Sequence, residues 1–209
     1  MAINVNPGSL LRHVQTFTAS GNFTAPAGCT VAFVSIHSST GGGGGGGRGG
    51  PNGNGGGGGS SGIVAGSFIE VIPGATHAVV IGGGGAGGAG QTSGGRYSPN
   101  PGATGATGGS TTFDGTAFIV TGAQGGSGGN PGFGYRYSGS TGATGTNASA
   151  SGITSLTSLS PSGALTKTKT ISTQTTGATS SGGGGGGGGR YSNGSPGTAG
   201  SAGIVHIYI

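Results

Sequence analysis

The triplet Arg-Tyr-Ser occurs three times in this chain, and each copy follows a glycine-rich stretch. A second tyrosine precedes the middle copy. Tyrosine offers a flat apolar face and a hydroxyl at low entropic cost, and arginine offers a planar fork of donors, so the pair suits stacking on sugar rings and binding of anionic groups. The candidate receptor or partner contacts are therefore Arg96, Tyr97, Tyr135, Arg136, Tyr137, Arg190 and Tyr191.

Three interpretations of the triplets remain open at this stage. The triplets could contact a receptor on a host cell, because glycine segments carry no side chains and recognition must then sit where they turn. Alternatively, each tyrosine caps the glycine segments by packing on them, with its arginine stacked as a cation–π partner. In the third interpretation the triplets contact neighbouring subunits.

Catalytic and metal-binding chemistry is poorly represented. Glu70 and Asp114 are the only carboxylates available for acid–base catalysis. No G-x-S-x-G motif sits in a strand-turn-helix context, and the phosphate-loop motif is absent. The histidines have unrelated spacings and Cys29 has no partner, which disfavours a zinc site and excludes an internal disulfide. The sequence therefore predicts a protein that is not an enzyme and needs no cofactor; the histidines are His13, His37, His77 and His206.

The composition favours a structural or binding protein. Glycine fills 60 of 209 positions and charged residues make up only 4%, against roughly 25% in typical soluble domains. The net charge of +5 comes from scattered bases, which form no run typical of a nucleic-acid patch, although a weak attraction to an acidic cell surface is expected. The N-terminal residues do not resemble a signal peptide, and no apolar window approaches a membrane span. We expect synthesis in a cytoplasm and export as part of a particle.

Short apolar runs alternate with glycine tracts along the whole chain. The runs are rich in β-branched and aromatic residues and predict strands, with a turn at Pro73-Gly74. Glycine tracts can adopt polyproline-II geometry, which makes no internal hydrogen bonds and is stable only when several rods bond to one another. The predicted fold is all-β: a small β-sandwich-like unit of short strands with polyglycine-II segments and no substantial helix. The predicted strands cover 14–18, 30–37, 63–72, 77–81, 111–121 and 204–209, and the main tracts 41–47, 55–59, 82–90, 122–134 and 182–189.

Two further segments qualify this single-domain prediction for residues 1–209. The stretch Gly102-Ala-Thr-Gly-Ala-Thr-Gly fits a collagen repeat for two triplets only, which is too short for a triple helix. Residues 147–181 are Ser/Thr-rich and poor in glycine, and form an insertion: an arm, a hairpin, or a segment that packs on a neighbouring subunit. Within it, Lys167-Thr-Lys-Thr-Ile-Ser-Thr alternates like an edge strand guarded by lysines.

Four blocks in order resemble the glycine-rich domain of bacteriophage minor tail and tail-fibre proteins, including those of actinobacteriophages. They are Thr16-Phe-Thr-Ala-Ser-Gly-Asn-Phe-Thr-Ala-Pro-Ala-Gly, the stretch from Ile72-Pro-Gly to Gly90, Gly108-Gly-Ser-Thr-Thr-Phe-Asp-Gly, and the closing Gly200-Ser-Ala-Gly-Ile-Val-His-Ile-Tyr-Ile. A more distant likeness is to adhesins that cap the long fibres of some T-even-type phages, which pack polyglycine-II helices and recognise receptors through loops at the rod ends.

The resemblance implies a structural protein of the virion tail that contributes to host-cell recognition. Its implied partners are other phage tail proteins, further copies of itself, with a trimer implied for such fibres, and a bacterial surface glycan or protein. Neither nucleic acid nor membrane insertion is expected. Two rival hypotheses remain: a tail-tip or capsid decoration protein without receptor binding, and an ice-binding or other extracellular glycine-rich protein. An ice-binding role would require a flat, regular face of Thr or Ala.

Overall fold

A computed structural model describes residues 12–48, 56–93, 100–131, 142–144, 148–151, 155–159, 165–168 and 193–209 of the chain. These residues form two antiparallel sheets, an additional strand pair, and a bundle of extended glycine segments. No helix is present in these ranges. The predicted all-β class is therefore confirmed for the described part of the chain.

The strands are short and all pair in antiparallel fashion. One sheet has the order β1-β11-β3-β4 and the other β2-β5-β6-β7-β8, while β9 and β10 pair with each other. The strands are β1 His13–Phe17, β2 Gly21–Thr24, β3 Val31–His37, β4 Val64–Glu70, β5 Thr76–Val80, β6 Thr111–Phe113, β7 Phe118–Val120, β8 Ala150–Ser151, β9 Ser155–Leu159, β10 Leu165–Thr168 and β11 Ile204–Tyr208.

The two larger sheets enclose the hydrophobic core. Burial alternates along β3, β4 and β11, because successive side chains of a strand point to opposite faces of its sheet. The four-stranded sheet contributes mainly aliphatic side chains, and the five-stranded sheet contributes three phenylalanines and two valines, which is the arrangement of a small β-sandwich. The largest fully buried apolar side chains are Phe23, Phe113, Phe118, Ile36, Ile207, Val34, Val79, Val120 and Val205.

Two turns explain where the predicted strand boundaries hold and where they fail. Pro73-Gly74 forms the predicted turn: Ala75 N donates to Ile72 O at 2.9 Å, and Gly74 has φ 78°, as the third residue of a type II turn requires. The predicted single strand 111–121 was wrong. A turn from Asp114 (φ 51°) breaks it into β6 and β7, which then pair with each other.

The insertion predicted at 147–181 is described only in part. β8 adds an edge strand to the five-stranded sheet, and β9 pairs with β10, as in the hairpin alternative. Two lysines were predicted to guard an edge strand; Lys167 lies in β10, whereas Lys169 lies outside the described residues.

Within the described residues, seven extended segments continue from the strands, and we call them rods. Three rods run away from the sandwich and four run back towards it. Rods 1, 3 and 5 (41–47, 82–91 and 122–130) run outward from β3, β5 and β7. Rods 2, 4 and 6 (56–60, 101–110 and 142–144) follow them along the chain and run inward. Rod 7 (193–203) runs inward to β11.

Rod 1 lies at the centre of the bundle and bonds to five other rods. Gly42 and Gly45 donate backbone hydrogen bonds to rod 4, and Gly43 and Gly46 donate to rod 7, at 2.8 to 3.0 Å. Gly44 donates to rod 2, while amides of rods 3 and 5 donate to carbonyls of rod 1. The three-residue spacing of equivalent bonds is the period of polyproline-II geometry. The predicted polyglycine-II rods are thus present.

Glycine is required in rod 1 because neighbouring backbones approach it closely. A Cβ on Gly42 would lie 2.0 Å from Ala86 O, and one on Gly45 would lie 2.0 Å from Ala89 O. Side-chain carbons essentially never come within 3.0 Å of such an atom. The glycine tract therefore specifies a packed lattice and not a flexible linker, as far as the described rods extend.

Three of the rods, rods 4, 6 and 7, were not predicted. Rod 4 contains the collagen-like Gly-Ala-Thr repeat, and it uses one glycine per triplet to face the bundle while Ala and Thr face outward. Rod 7 reads Asn193-Gly-Ser-Pro-Gly-Thr-Ala-Gly and follows the same triplet rule. The eight-glycine tract 182–189 lies outside the described residues.

A collar of buried hydroxyl groups joins the sandwich to the bundle. Ser38 Oγ accepts a hydrogen bond from Ile63 N at 2.9 Å, and Thr40 Oγ1 accepts one from Ser201 N at 2.7 Å. Ser39 Oγ donates to Gly109 O, and Thr111 Oγ1 accepts from Gly82 N. These side chains replace ladder partners at the level where strands change into rods, so no backbone group named here is left unpaired.

Candidate functional site

The outer end of the bundle, remote from the sandwich, gathers the chain segments that flank the Arg-Tyr-Ser triplets. All seven sequence-predicted contact residues lie outside the described residues: Arg96, Tyr97, Tyr135, Arg136, Tyr137, Arg190 and Tyr191. Their described flanks are the ends of rods 3 and 4, the end of rod 5, and the start of rod 7. The rods therefore bring the flanks of all three triplets to one end of the molecule, although the triplets are about 40 to 95 positions apart in the chain.

Arg48 lies where these flanks meet. Its backbone N–H and C=O exchange hydrogen bonds with Asn100, both at 2.9 Å. Its Nη1 donates to Thr92 O, at the end of rod 3, and to Asn193 Oδ1, at the start of rod 7, at 2.9 Å. One arginine thus connects rods 1, 3, 4 and 7 at their outer ends.

Hydrogen bonds between Ser93 and Asn100 join the two described residues on either side of the first triplet. Asn100 Nδ2 donates to both Ser93 O and Ser93 Oγ at 3.2 Å, so residues 93 and 100 are held together across the six residues between them. Pro131, which precedes the second triplet, lies over Gly47: a Cβ on that glycine would meet Pro131 Cδ at 2.7 Å. The flanks of two triplets are consequently fixed around the end of rod 1.

The sides of the bundle present small, uncharged side chains. Rods 4, 3 and 7 lie side by side, because rod 4 donates to rod 3 through Ala103 and Ala106, and rod 7 donates to rod 3 at every third residue. The repeat leaves one regular set of residues facing outward. The exposed residues include Ala86, Ala89, Ala103, Thr104, Ala106, Thr107, Thr198 and Ala199.

Three histidines, distant in sequence, form a cluster on the outer face of the four-stranded sheet. The rings of His37 and His206 are 5.2 Å apart and those of His13 and His206 are 6.0 Å apart. Thr16 Oγ1 lies 2.9 Å from both His13 Nε2 and His206 Nδ1. Burial, and then the charge of His206, lower the pKa of His37; burial and then His13 lower the pKa of His206.

The same face carries three neutral aromatic rings. Phe33 lies 5.0 Å from Phe68 and 6.0 Å from Tyr208, measured between ring centroids. Phe33 also covers Gly66 of β4, where a Cβ would lie 2.5 Å from its Cζ. This face of the sheet therefore carries a row of three aromatic rings, and the ring of Phe33 covers Gly66.

His77 and Asp114 form a second titratable pair, within the sandwich. His77 Nδ1 lies 3.2 Å from Asp114 Oδ2, and the imidazole stacks on Phe113 at 5.6 Å. Its Nε2 is buried and has no hydrogen-bond partner. The Asp114 side chain is 47% exposed, and its contact with His77 joins β5 to the β6–β7 turn.

Within the described ranges, no three His, Cys, Asp or Glu side chains are grouped so as to hold a metal ion. Nor does that part of the chain contain a helix that is long and apolar enough to cross a membrane.

Sequence reasoning missed Arg48 as a site residue. It ends the first glycine tract and is followed by Gly-Gly-Pro-Asn-Gly-Asn, so it reads as one more base in a turn. The available signal was its position: the first charged residue after an unbroken tract must lie at a rod end, where cross-rod contacts are made.

Comparison with known proteins adds no homologue. No protein-family model matches the chain, and a search of curated proteins finds no similar sequence.

Proposed function

We propose that this chain is a structural protein of a bacteriophage tail, a minor tail protein or a tail fibre or tip component, whose glycine bundle presents a host-recognition surface at its outer end. The order of the four sequence blocks supports the tail assignment by resemblance. The observation that carries the recognition role is the convergence of the described flanks of all three Arg-Tyr-Ser triplets around Arg48.

Convergence favours recognition over scattered surface contacts for a physical reason. The rods expose glycine, alanine and hydroxyl side chains, which give little binding energy, whereas Tyr and Arg dominate the energetics of protein interfaces. Because the described flanks of three such pairs lie at one end of the bundle, recognition is assigned to that end. The rods are held by cross-rod hydrogen bonds, so the rod ends themselves lose little conformational entropy on binding.

Cell binding by a triple tyrosine variant tests the recognition role. The variant Tyr97→Ala, Tyr137→Ala and Tyr191→Ala is compared with the wild type for binding of labelled protein to candidate bacterial cells, starting with actinobacteria. Tyr208→Phe, in β11 of the sandwich, is the matched control. Binding by the wild type and the control but not by the triple variant supports the proposal.

A purely structural tail or capsid decoration protein is the main alternative. It predicts no specific binding to any cell by protein whose fold is verified by circular dichroism. Equal binding by the triple variant and the wild type contradicts the assignment of recognition to the triplets.

An ice-binding role is a second candidate, because rods 3, 4 and 7 together form a surface of exposed alanine and threonine side chains. All three rods bond to rod 1, so this surface curves around rod 1. Its outward residues repeat every three positions, or roughly 9 Å along a rod. Thermal hysteresis of the wild type, of Thr104→Lys on this face and of Thr76→Lys in β5 distinguishes the two functions. Hysteresis that Thr104→Lys alone removes favours ice binding, and its absence from the wild type excludes this role.

A further inference from the structure

We infer that Arg48 is a positioning residue that locks the outer ends of rods 1, 3, 4 and 7 and thereby sets the spacing of the described residues that flank the first and third Arg-Tyr-Ser triplets. The inference about positioning rests on the proposed recognition function, whereas the locking of the rods does not. Arg48 is not proposed as a contact for the receptor itself.

Rod ends need such a lock because polyproline-II segments have no internal hydrogen bonds. A rod is held only by its neighbours, and the outermost turn has the fewest of them. The last backbone bond from rod 3 to rod 1 joins Gln91 N to Gly46 O at 3.1 Å, and the last from rod 7 to rod 3 joins Gly194 N to Gln91 O at 2.8 Å. Thr92 and Asn193 lie one residue beyond these bonds.

The Arg48 side chain supplies the bonds that the backbone no longer makes there. Its single Nη1 donates both to Thr92 O and to Asn193 Oδ1, so one group connects rods 3 and 7. Hydrogen bonds from a charged donor are stronger than neutral ones. The backbone of the same residue holds Asn100 of rod 4, and Asn100 in turn holds Ser93. Two of the three Arg-Tyr-Ser segments therefore leave the bundle from flanks that Arg48 joins.

The Nη1 of the Arg48 guanidinium acts as a clamp between rods 3 and 7. Nε of the same guanidinium is buried and has no hydrogen-bond partner. Nη1 carries two hydrogens, and both are used in the bonds to Thr92 O and Asn193 Oδ1.

Hydrogen exchange of named backbone amides tests the lock directly. In Arg48→Ala, we expect protection of the amides of Gln91, Asn100 and Gly194 to fall by about tenfold or more, while those of Val34 and Ile36 in β3 keep theirs. Arg12→Ala, at the start of β1, is the matched arginine control and should change none of the rod-end amides. Protection at the rod ends within about twofold of the wild type in Arg48→Ala overturns the inference.

Two further variants separate the lock from a general loss of stability. Asn193→Ala removes one acceptor, so the double variant with Arg48→Ala should lose no more protection than Arg48→Ala alone. Arg48→Lys retains a cationic nitrogen with three hydrogens and should restore part of the lost protection. Fully additive losses would contradict the proposed bond.

Cell binding then connects the lock to recognition. A folded Arg48→Ala that loosens the rod ends should bind cells at least about tenfold more weakly than the wild type. Unchanged binding with loosened rod ends refutes positioning, and lost binding with intact protection refutes it by making Arg48 a direct contact. If the wild type binds no cell, the proposed function fails while the exchange experiment still decides the lock.

Discussion

Adding one methyl group inside the bundle should destabilise the protein far more than adding the same group on its surface. Rod 3 offers both positions two residues apart. A Cβ on Gly85 would lie 2.0 Å from Ala106 O and 2.8 Å from Gly42 N, whereas a Cβ on Gly83 would have no atom within 4 Å. Neither glycine has a positive φ, so alanine is allowed at both by backbone conformation.

The size of the effect follows from the bonds around Gly85. Relieving the contact with Ala106 O requires rods 3 and 4 to separate by about 1 Å, because interiors are too densely packed to absorb the methyl group elsewhere. That movement breaks or weakens three hydrogen bonds: Gly42 N to Ala106 O, Gly85 N to Thr40 O, and Ala106 N to Ala86 O. At about 1 kcal/mol net for each bond, Gly85→Ala should lower the free energy of unfolding by about 3 kcal/mol.

Gly83→Ala should instead raise that free energy by about 0.4 to 1 kcal/mol, because alanine reduces the conformational entropy of the unfolded chain. Urea unfolding followed by far-ultraviolet circular dichroism measures both variants against the wild type, and thermal unfolding should show the melting temperature of Gly85→Ala lower by about 6 to 12 °C. Two variants within about 0.5 kcal/mol of each other would refute the lattice as the source of stability.

The remaining predictions concern the sandwich, the collar and pH. Phe23→Ala should cost about 3 to 5 kcal/mol in urea unfolding, whereas Ile72→Ala, at a side chain 70% exposed, should stay within about 0.5 kcal/mol of the wild type. Thr40→Val keeps the shape of the side chain but removes the hydroxyl that accepts from Ser201 N, and it should cost about 1 to 3 kcal/mol. A stability equal to that of the wild type would contradict a stabilising role for the collar. The pKa values of His37 and His206 are lowered from 6.5 in the folded protein, so the unfolded chain binds more protons and the free energy of unfolding should decrease as the pH falls below 6.5. His206→Gln should flatten this dependence in urea titrations between neutral and acidic pH, and an unchanged slope would contradict it.

The sandwich could largely be predicted from local pattern. Most of its strands are short runs in which apolar residues alternate with others, and they are bounded by glycine or proline. The alternation predicts which face of each strand is buried. The prediction of a single strand over 111–121 failed because Asp114 and Gly115 both have positive φ and form a turn. The apolar residues on either side of this turn resemble one continuous strand. β2 was missed because its four residues contain a glycine and an asparagine, and it is a strand only through pairing with β5.

The recognition site at the triplets stays a prediction, whereas the contacts of Arg48 could not be predicted. The sequence indicates that recognition belongs at rod ends, and the three triplets mark the segments concerned. It does not indicate that Arg48 contacts Thr92 and Asn193. These residues lie 44 and 145 positions away from Arg48 in the chain, and they come close to it only when the rods pack together. The histidine cluster has the same origin, since β11 brings His206 between His13 and His37.

By itself, the sequence determined that this protein is built from strands and glycine rods, and that Glu70 and Asp114 are its only carboxylate side chains. Glycine content fixes how closely backbones can approach, because only a residue without Cβ permits contacts near 2 Å from its Cβ position. Which rods become neighbours was decided by the tertiary structure alone. A polyproline-II rod satisfies none of its own hydrogen bonds, so its conformation depends entirely on partners that the local sequence does not name. The packing that recruits rods 4 and 7, and that joins the outer ends at Arg48, exists only once the sandwich has set the order of its strands.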